Sequence, residues 1–146
     1  MTDMETQNRR RWMSILARAS EADMRAHLAG GPALPPHTRL RGPEIGLVML
    51  RGRMGGDGAP FNLSEATVTR CTVSMDGRMG HATVLGRDTA QAELAAALDA
   101  ALQDPASGLL DRVIEPLATA QAEGRARTAR RAEATRVQFF ALAAMR

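Results

Sequence analysis

Ala66-Thr67-Val68-Thr69-Arg70-Cys71-Thr72-Val73-Ser74-Met75-Asp76-Gly77-Arg78-Met79-Gly80-His81-Ala82-Thr83-Val84-Leu85 is the stretch that decides the fold. Its halves, 66–75 and 78–85, are rich in Thr and Val, side chains that suit a pleated strand. Asp76-Gly77 between them is a pair strongly favoured at the two central positions of a tight hairpin turn. A two-residue turn fixes the register, so Thr72 faces His81, Arg70 faces Thr83 and Ser74 faces Met79 on one side. On the other side Cys71 faces Ala82 and Val73 faces Gly80. That second face is small and apolar and should meet helices. The first, with Arg70, Thr72, Ser74, His81 and Thr83, should meet water or a partner.

Working outward, Ile45 to Leu50 is nearly continuously apolar and reads as a strand buried on both faces. A glycine-rich loop, Arg51 to Pro60, follows it. Downstream, Asp88 is a good N-cap for a helix over 89–103 whose buried stripe is Leu94, Leu98, Ala101 and Leu102. Asp104-Pro105 should break that helix, and Pro116 should break the chain again after Leu109 to Ile114. A last long helix is expected from about 117 to 144, loosened at Gly124. Toward the N-terminus, 6–19 reads as a helix with Trp12, Ile15, Leu16 and Ala19 on one face. Ser20 and Asp23 form a capping-box pattern for a second, short helix carrying Met24 and Leu28 inward. Gly30-Gly31-Pro32 ends it, and 32–43, with four of the seven prolines, reads as a connector. The expected fold is therefore α+β: an antiparallel sheet with helices packed on one face and a long C-terminal helical arm. Residues 1–116 form the core and 117–146 the arm.

The chain has 146 residues, room for one domain with a core of its own. The single cysteine, Cys71, excludes an internal disulfide and any cysteine-based zinc site. On the apolar face of the hairpin it reads as a buried, inert thiol. Aromatic residues make up 3%, and alanine supplies much of the apolar content, so the core must be built from small residues with Leu, Val, Ile and Met. All nineteen basic residues are arginine, with a net charge of only +3. That charge is too small to argue for nucleic acid, and the scarcity of aromatics argues against a base-stacking surface. Met1 to Thr6 is polar and acidic with no apolar run after it, and no stretch is apolar enough to span a bilayer. No secretory signal and no membrane association are expected, and a cytoplasmic location is.

The chemistry-bearing candidates are few. Arg53-Met54-Gly55-Gly56-Asp57-Gly58 follows a strand and could cradle an anion with successive amides, although it lacks the lysine of a nucleotide-binding P-loop. Its other reading is a simple loop between strands. Gly86-Arg87-Asp88-Thr89 puts a guanidinium beside a helix N-terminus, where anions are attracted, unless Asp88 already satisfies those amides. His81, with Thr72 opposite and Arg70 diagonal, has no carboxylate brought to it by the register. His27 and His37 have no metal-ligand spacing, and no serine sits in a nucleophile elbow. The sequence thus offers no catalytic residue, no metal site and no cofactor site. Between Ala118 and Thr135 the last helix is mostly alanine, punctuated by Arg125, Arg127, Arg130 and Arg131, with one i,i+4 pair from Glu123 to Arg127. Arg136, Val137, Phe139 and Phe140 follow at the tip. A lightly anchored arm ending in two phenylalanines suggests docking onto another chain. It could equally pack its tip back on its own domain.

Five stretches in order resemble the PhnG subunit family of the bacterial carbon–phosphorus lyase system: Arg11-Trp12-Met13, Arg53 to Gly58, Ala66 to Arg70, Val84 to Asp88, and Ala129 to Glu133 running into Arg136 to Phe140. The resemblance spans nearly the whole chain, while 32–43 and 104–111 do not match clearly. It implies a role in phosphonate catabolism with PhnH-, PhnI- and PhnL-like partners, which together displace adenine from ATP by a phosphonate to give ribose 1-phosphonate 5-triphosphate. It implies further that a PhnJ-like radical-SAM subunit later breaks the carbon–phosphorus bond, and that chains like this one are structural partners of the PhnI-like and PhnJ-like subunits. The family supplies no catalytic residue to carry over. If the chain touches phosphonate or triphosphate, Arg53, Gly55, Gly56, Arg70 and Arg87 offer the guanidinium forks and backbone donors such groups need. Arg130, Arg136, Val137, Phe139 and Phe140 are the expected docking residues. The alternative is a small independent enzyme or binding module for a phosphorylated ligand.

Overall fold

The structure, a computed structural model, describes residues 3–137. Two helices, α1 (Asp3–Leu16) and α2 (Glu21–Leu28), precede three strands, β1 (Thr38–Arg53), β2 (Pro60–Met75) and β3 (Arg78–Leu85). Then come α3 (Thr89–Leu102), a 3-10 turn at Pro105–Ser107, and a π-helical turn at Leu110–Ile114 that runs straight into α4 (Glu115–Ala134). The strands form one antiparallel sheet in the order β1-β2-β3. The fold is α+β, as the sequence implies.

The hairpin register is the one the turn dictates: Thr72 lies opposite His81, Arg70 opposite Thr83, Cys71 opposite Ala82 and Val73 opposite Gly80. Asp76 and Gly77 both have positive φ, at 49° and 76°, as this turn requires. Cys71, Val73, Met75 and Val84 are buried beneath α3. Gly80 lets the helix come close, since a Cβ there would overlap the Ala96 carbonyl oxygen and the Ala100 nitrogen. Alanine on α3 has the same effect from the other side. The helix is buried over more than a stripe: every residue from Leu94 to Leu102 is buried, because α1 and α2 close over its back. The caps match the sequence signals. Ser20 accepts from the Asp23 amide at 3.1 Å, and Asp88 Oδ1 from the Gln91 amide at 2.9 Å.

Several expectations need correction. The proline-rich connector is shorter than 32–43, because β1 begins at Thr38 and takes in Pro43, at a register irregularity of an edge strand where a missing amide hydrogen is tolerated. Ile45 to Leu50 is not buried on both faces: Ile45, Leu47, Met49 and Leu50 are exposed. β3 pairs with β2 only from Val68 onward, and 60–65 are exposed, so 47–53 and 60–67 form a two-stranded ribbon. Pro116 does not break the chain; it falls in the first turn of α4, and the π-helical turn ahead, where the hydrogen-bond ladder is already shifted, accommodates its ring. The last helix ends at Ala134 rather than near 144, passes through Gly124 without interruption, and contains no Glu123–Arg127 ion pair. The acid–base pair near its end is Arg136 with Glu133, at 3.2 Å.

Candidate functional site

The polar face of the sheet assembles as the register requires. Arg41 pairs with Glu44 at 2.8 Å and Arg70 reaches the same carboxylate at 3.8 Å, its guanidinium lying over Gly46, where a Cβ would come within 3.3 Å of it. Thr72 Oγ1 and His81 Nδ1 are 3.1 Å apart. Arg70, His81 and Thr83 are exposed, and Thr72 and Ser74 half-buried. This surface can bind an anion through Arg70. The side-chain neighbour of His81 is a hydroxyl rather than a carboxylate.

The two other candidate anion groups lie elsewhere. Arg53 pairs across the ribbon with Pro60, and Gly55 and Gly56 stand in open space in the loop between them, Gly55 at φ 67°. Gly58 closes that loop tightly, since a Cβ on it would overlap the Met54 carbonyl oxygen. Arg70 lies ten residues along β2 from Pro60, roughly 33 Å at ~3.3 Å per residue, so Arg53, Gly55 and Gly56 form one group and Arg70 belongs to another. Arg87 is exposed on the corner between β3 and α3. The corner is rigid: the Gly86 amide donates to Thr67 O at 2.9 Å, and the Thr69 hydroxyl donates to Gly86 O at 2.8 Å. Asp88 occupies the helix N-terminus with its own carboxylate, so an anion at Arg87 would meet the guanidinium rather than a free row of amides.

Sequence reasoning missed the buried Asp99. Its carboxylate accepts from Arg9 Nε at 3.1 Å and Nη2 at 2.8 Å, from Trp12 Nε1 at 2.8 Å and from the His81 amide at 2.9 Å. Met79 O, next along that edge, accepts from Arg9 Nη2 at 3.0 Å and Gln103 Nε2 at 2.7 Å. Together these groups satisfy the outer edge of β3 and blunt it. A cleft of about 510 Å³ opens beside them, lined by Arg9, Trp12, Leu102, Pro105 and Leu110 among others. The one available signal was an aspartate inside the apolar run Leu94 to Leu102.

Charges elsewhere are spent on structure. Glu93 accepts from Arg39 at 2.8 and 2.7 Å and lies 3.0 Å from His37 Nε2. The Arg39 hydrogen bonds, aided by His37, hold its carboxyl below the ordinary range against the opposing effect of burial. Arg11 donates to Glu115 from Nη1 at 2.6 Å and Nη2 at 2.8 Å and lowers its pKa likewise. Burial pushes the Cys71 thiol up, as befits an inert core cysteine. Among the described residues no three His, Cys, Asp or Glu side chains gather as a metal site would need, and no helix is long and apolar enough to cross a membrane.

The C-terminal helix is tied down only at its start. Leu117 is buried, and Gln121 donates to Ile15 O at 2.9 Å. From Arg125 to Val137 every residue is exposed. Among the described residues, Arg130 has no ion pair and Arg136 pairs with Glu133. Phe139 and Phe140 lie outside the described residues.

Comparison with known proteins gives a family match and a similar curated protein. The family model described as "Phosphonate metabolism protein PhnG" matches residues 7–144. A Rhizobium meliloti (strain 1021) protein, the alpha-D-ribose 1-methylphosphonate 5-triphosphate synthase subunit PhnG, is 42% identical over 143 residues, covering 96% of this chain and 91% of that relative.

Proposed function

The chain belongs to the PhnG family of phosphonate metabolism proteins, and from that premise we propose that it is a subunit of a ribose 1-methylphosphonate 5-triphosphate synthase complex. The observation that carries this reading is the end-to-end similarity to a relative named as such a subunit. In the proposed reaction a phosphonate oxygen forms a bond to the anomeric carbon of ATP, and the bond from that carbon to adenine breaks. The chain supports this step as a non-catalytic or co-catalytic member, in the cytoplasm, with PhnH-, PhnI- and PhnL-like partners and contact to a PhnJ-like subunit. It needs no cofactor of its own. Its role is to present surfaces: the arm with Arg130, Arg136, Val137, Phe139 and Phe140 for docking, and Arg53, Gly55, Gly56, Arg70 and Arg87 for phosphonate or triphosphate. Because those groups fall at separate places on the fold, Arg87 and Arg70, each on the rigid body, are the stronger separate candidates for substrate.

The test is adenine release from ATP and methylphosphonate by the assembled subunits, with this chain present or omitted. Release that depends on the chain supports the reading; equal release without it overturns it. At the residue level, Arg87→Ala removes one charge-assisted contact, worth roughly 1.5–3 kcal/mol, so release should fall at least about tenfold while the complex keeps its mass. Unchanged release takes Arg87 out of the site.

A further inference from the structure

Ile45, Leu47 and Met49 lie opposite Thr69, Thr67 and Glu65 of β2, which puts them on the same side of the sheet as Cys71 and Val73. They continue the core face of the sheet past the end of the helix layer. Within the core that face is closed, whereas here Ile45 is 49% exposed, Leu47 60% and Met49 54%. The register shift between Leu50 and Arg51 is taken up by one extra residue on β2, Leu63, so alternation continues along β1 and Arg51 and Arg53 follow on the same face; neither has an ion-pair partner among the described residues. The outer edge of β1 is also unpaired there: the sheet order ends at this strand, whereas the opposite edge, β3, is covered by Arg9, Asp99 and Gln103. A two-stranded ribbon is marginal by itself in water, and a strand that shows both a free edge and an apolar face is a ready template for another strand.

Charge decides between the possible occupants. In antiparallel self-pairing with Leu47 opposite Leu47, Arg53 of each copy would meet Arg41 of the other, setting like charges together at both ends. Residues 138–146, which contain Phe139, Phe140 and Leu142, hold no acidic residue to answer Arg51 and Arg53. We propose that β1 is extended by a strand from a different subunit of the complex, apolar where it faces Ile45, Leu47 and Met49 and carrying Asp or Glu where it faces Arg51 and Arg53. The partner's backbone takes up the free edge of β1, its apolar side chains close the exposed end of the core face, and its carboxylates engage the two unpaired guanidiniums, which takes Arg53 out of the candidate substrate-binding residues and leaves Arg70 and Arg87. The inference rests on the subunit reading, and it adds a second docking element far from the C-terminal helix.

The test places the photo-crosslinking residue p-benzoylphenylalanine at position 47 of the full tagged chain, in cells that use a phosphonate as sole phosphorus source. The expected product joins this chain to a non-identical subunit, through a peptide with alternating apolar residues and a carboxylate within three positions. A crosslink to a second copy or to residues 138–146 of the same chain overturns the proposal. So does the absence of any crosslink in a complex that assembles intact. If the unsubstituted chain purifies alone, the subunit reading fails and this proposal with it, an outcome distinct from an intact complex without the crosslink. Leu47→Asp, at an exposed position, should lower the recovery of the crosslinked subunit at least tenfold while the chain keeps its helical circular dichroism. Unchanged recovery also overturns the proposal.

Discussion

A carboxylate without solvent contact must find donors for its lone pairs, and Asp99 finds them in Arg9, the indole of Trp12 and the amide of His81. Replacing it by alanine leaves those donors facing an apolar void. Breaking a buried pair in this way costs about 3–5 kcal/mol, and because Arg9 retains some access to water the low end of that range is expected for Asp99→Ala, measured by urea unfolding. A loss below about 1 kcal/mol would mean that water replaces the carboxylate at no cost. Glu93 makes a different prediction. Its folded-state pKa is depressed, first by Arg39 and then by His37, so its contribution is fully present above the unfolded carboxylate value near 4.3 and is lost as pH falls through the lower folded value. The melting temperature of Glu93→Gln should therefore lie below that of the wild type at neutral pH, and the gap should close below about pH 4. A gap that stays constant from pH 7 to 3 contradicts the ion pair. The Thr72–His81 neighbourhood was legible in the sequence because a two-residue turn leaves one register. Asp99 was not, because Arg9 and Trp12 lie 90 and 87 residues away along the chain.

At the scale of elements, the misread segment is instructive. The apolar run Ile45 to Leu50 has the composition of a doubly buried strand, but burial depends on what lies above it. α3 has 14 residues and is about 21 Å long, while β2 has 16 and is roughly 53 Å long, so one helix cannot roof the whole sheet. No local pattern in Ile45 to Leu50 records where a helix forty residues later will stop. Helix caps, by contrast, are local, and Ser20 and Asp88 were readable. The last helix was half readable: its alanine-rich, arginine-studded surface announced exposure, and the structure leaves 125–137 exposed. Truncation after Thr135 removes no buried residue among those described, so the melting temperature should stay within about 2 °C, where 1 kcal/mol corresponds to several degrees. The same truncation should release the partner subunits. A drop of 5 °C or more, with partners retained, would mean that the tip packs on its own domain instead.

For the whole molecule, most of the buried and paired charge among the described residues holds the body together, and several surfaces are left open. The core, the blunted β3 edge and the two grips on Glu93 and Glu115 close the body. The ribbon, the polar sheet face with Arg70, the corner at Arg87 and the C-terminal helix remain open. That division explains why the fold was largely legible and the site was not: periodicity and turn chemistry specify a body, whereas an open surface, such as one proposed to be completed by another polypeptide, leaves no closed constellation to find. The most direct test is the native mass of the tagged chain purified from cells growing on a phosphonate, measured by light scattering with the subunits identified by mass spectrometry. A stoichiometric particle many times the 15.7 kDa of the chain, containing non-identical subunits, is the predicted result. A lone monomer under those conditions would contradict it.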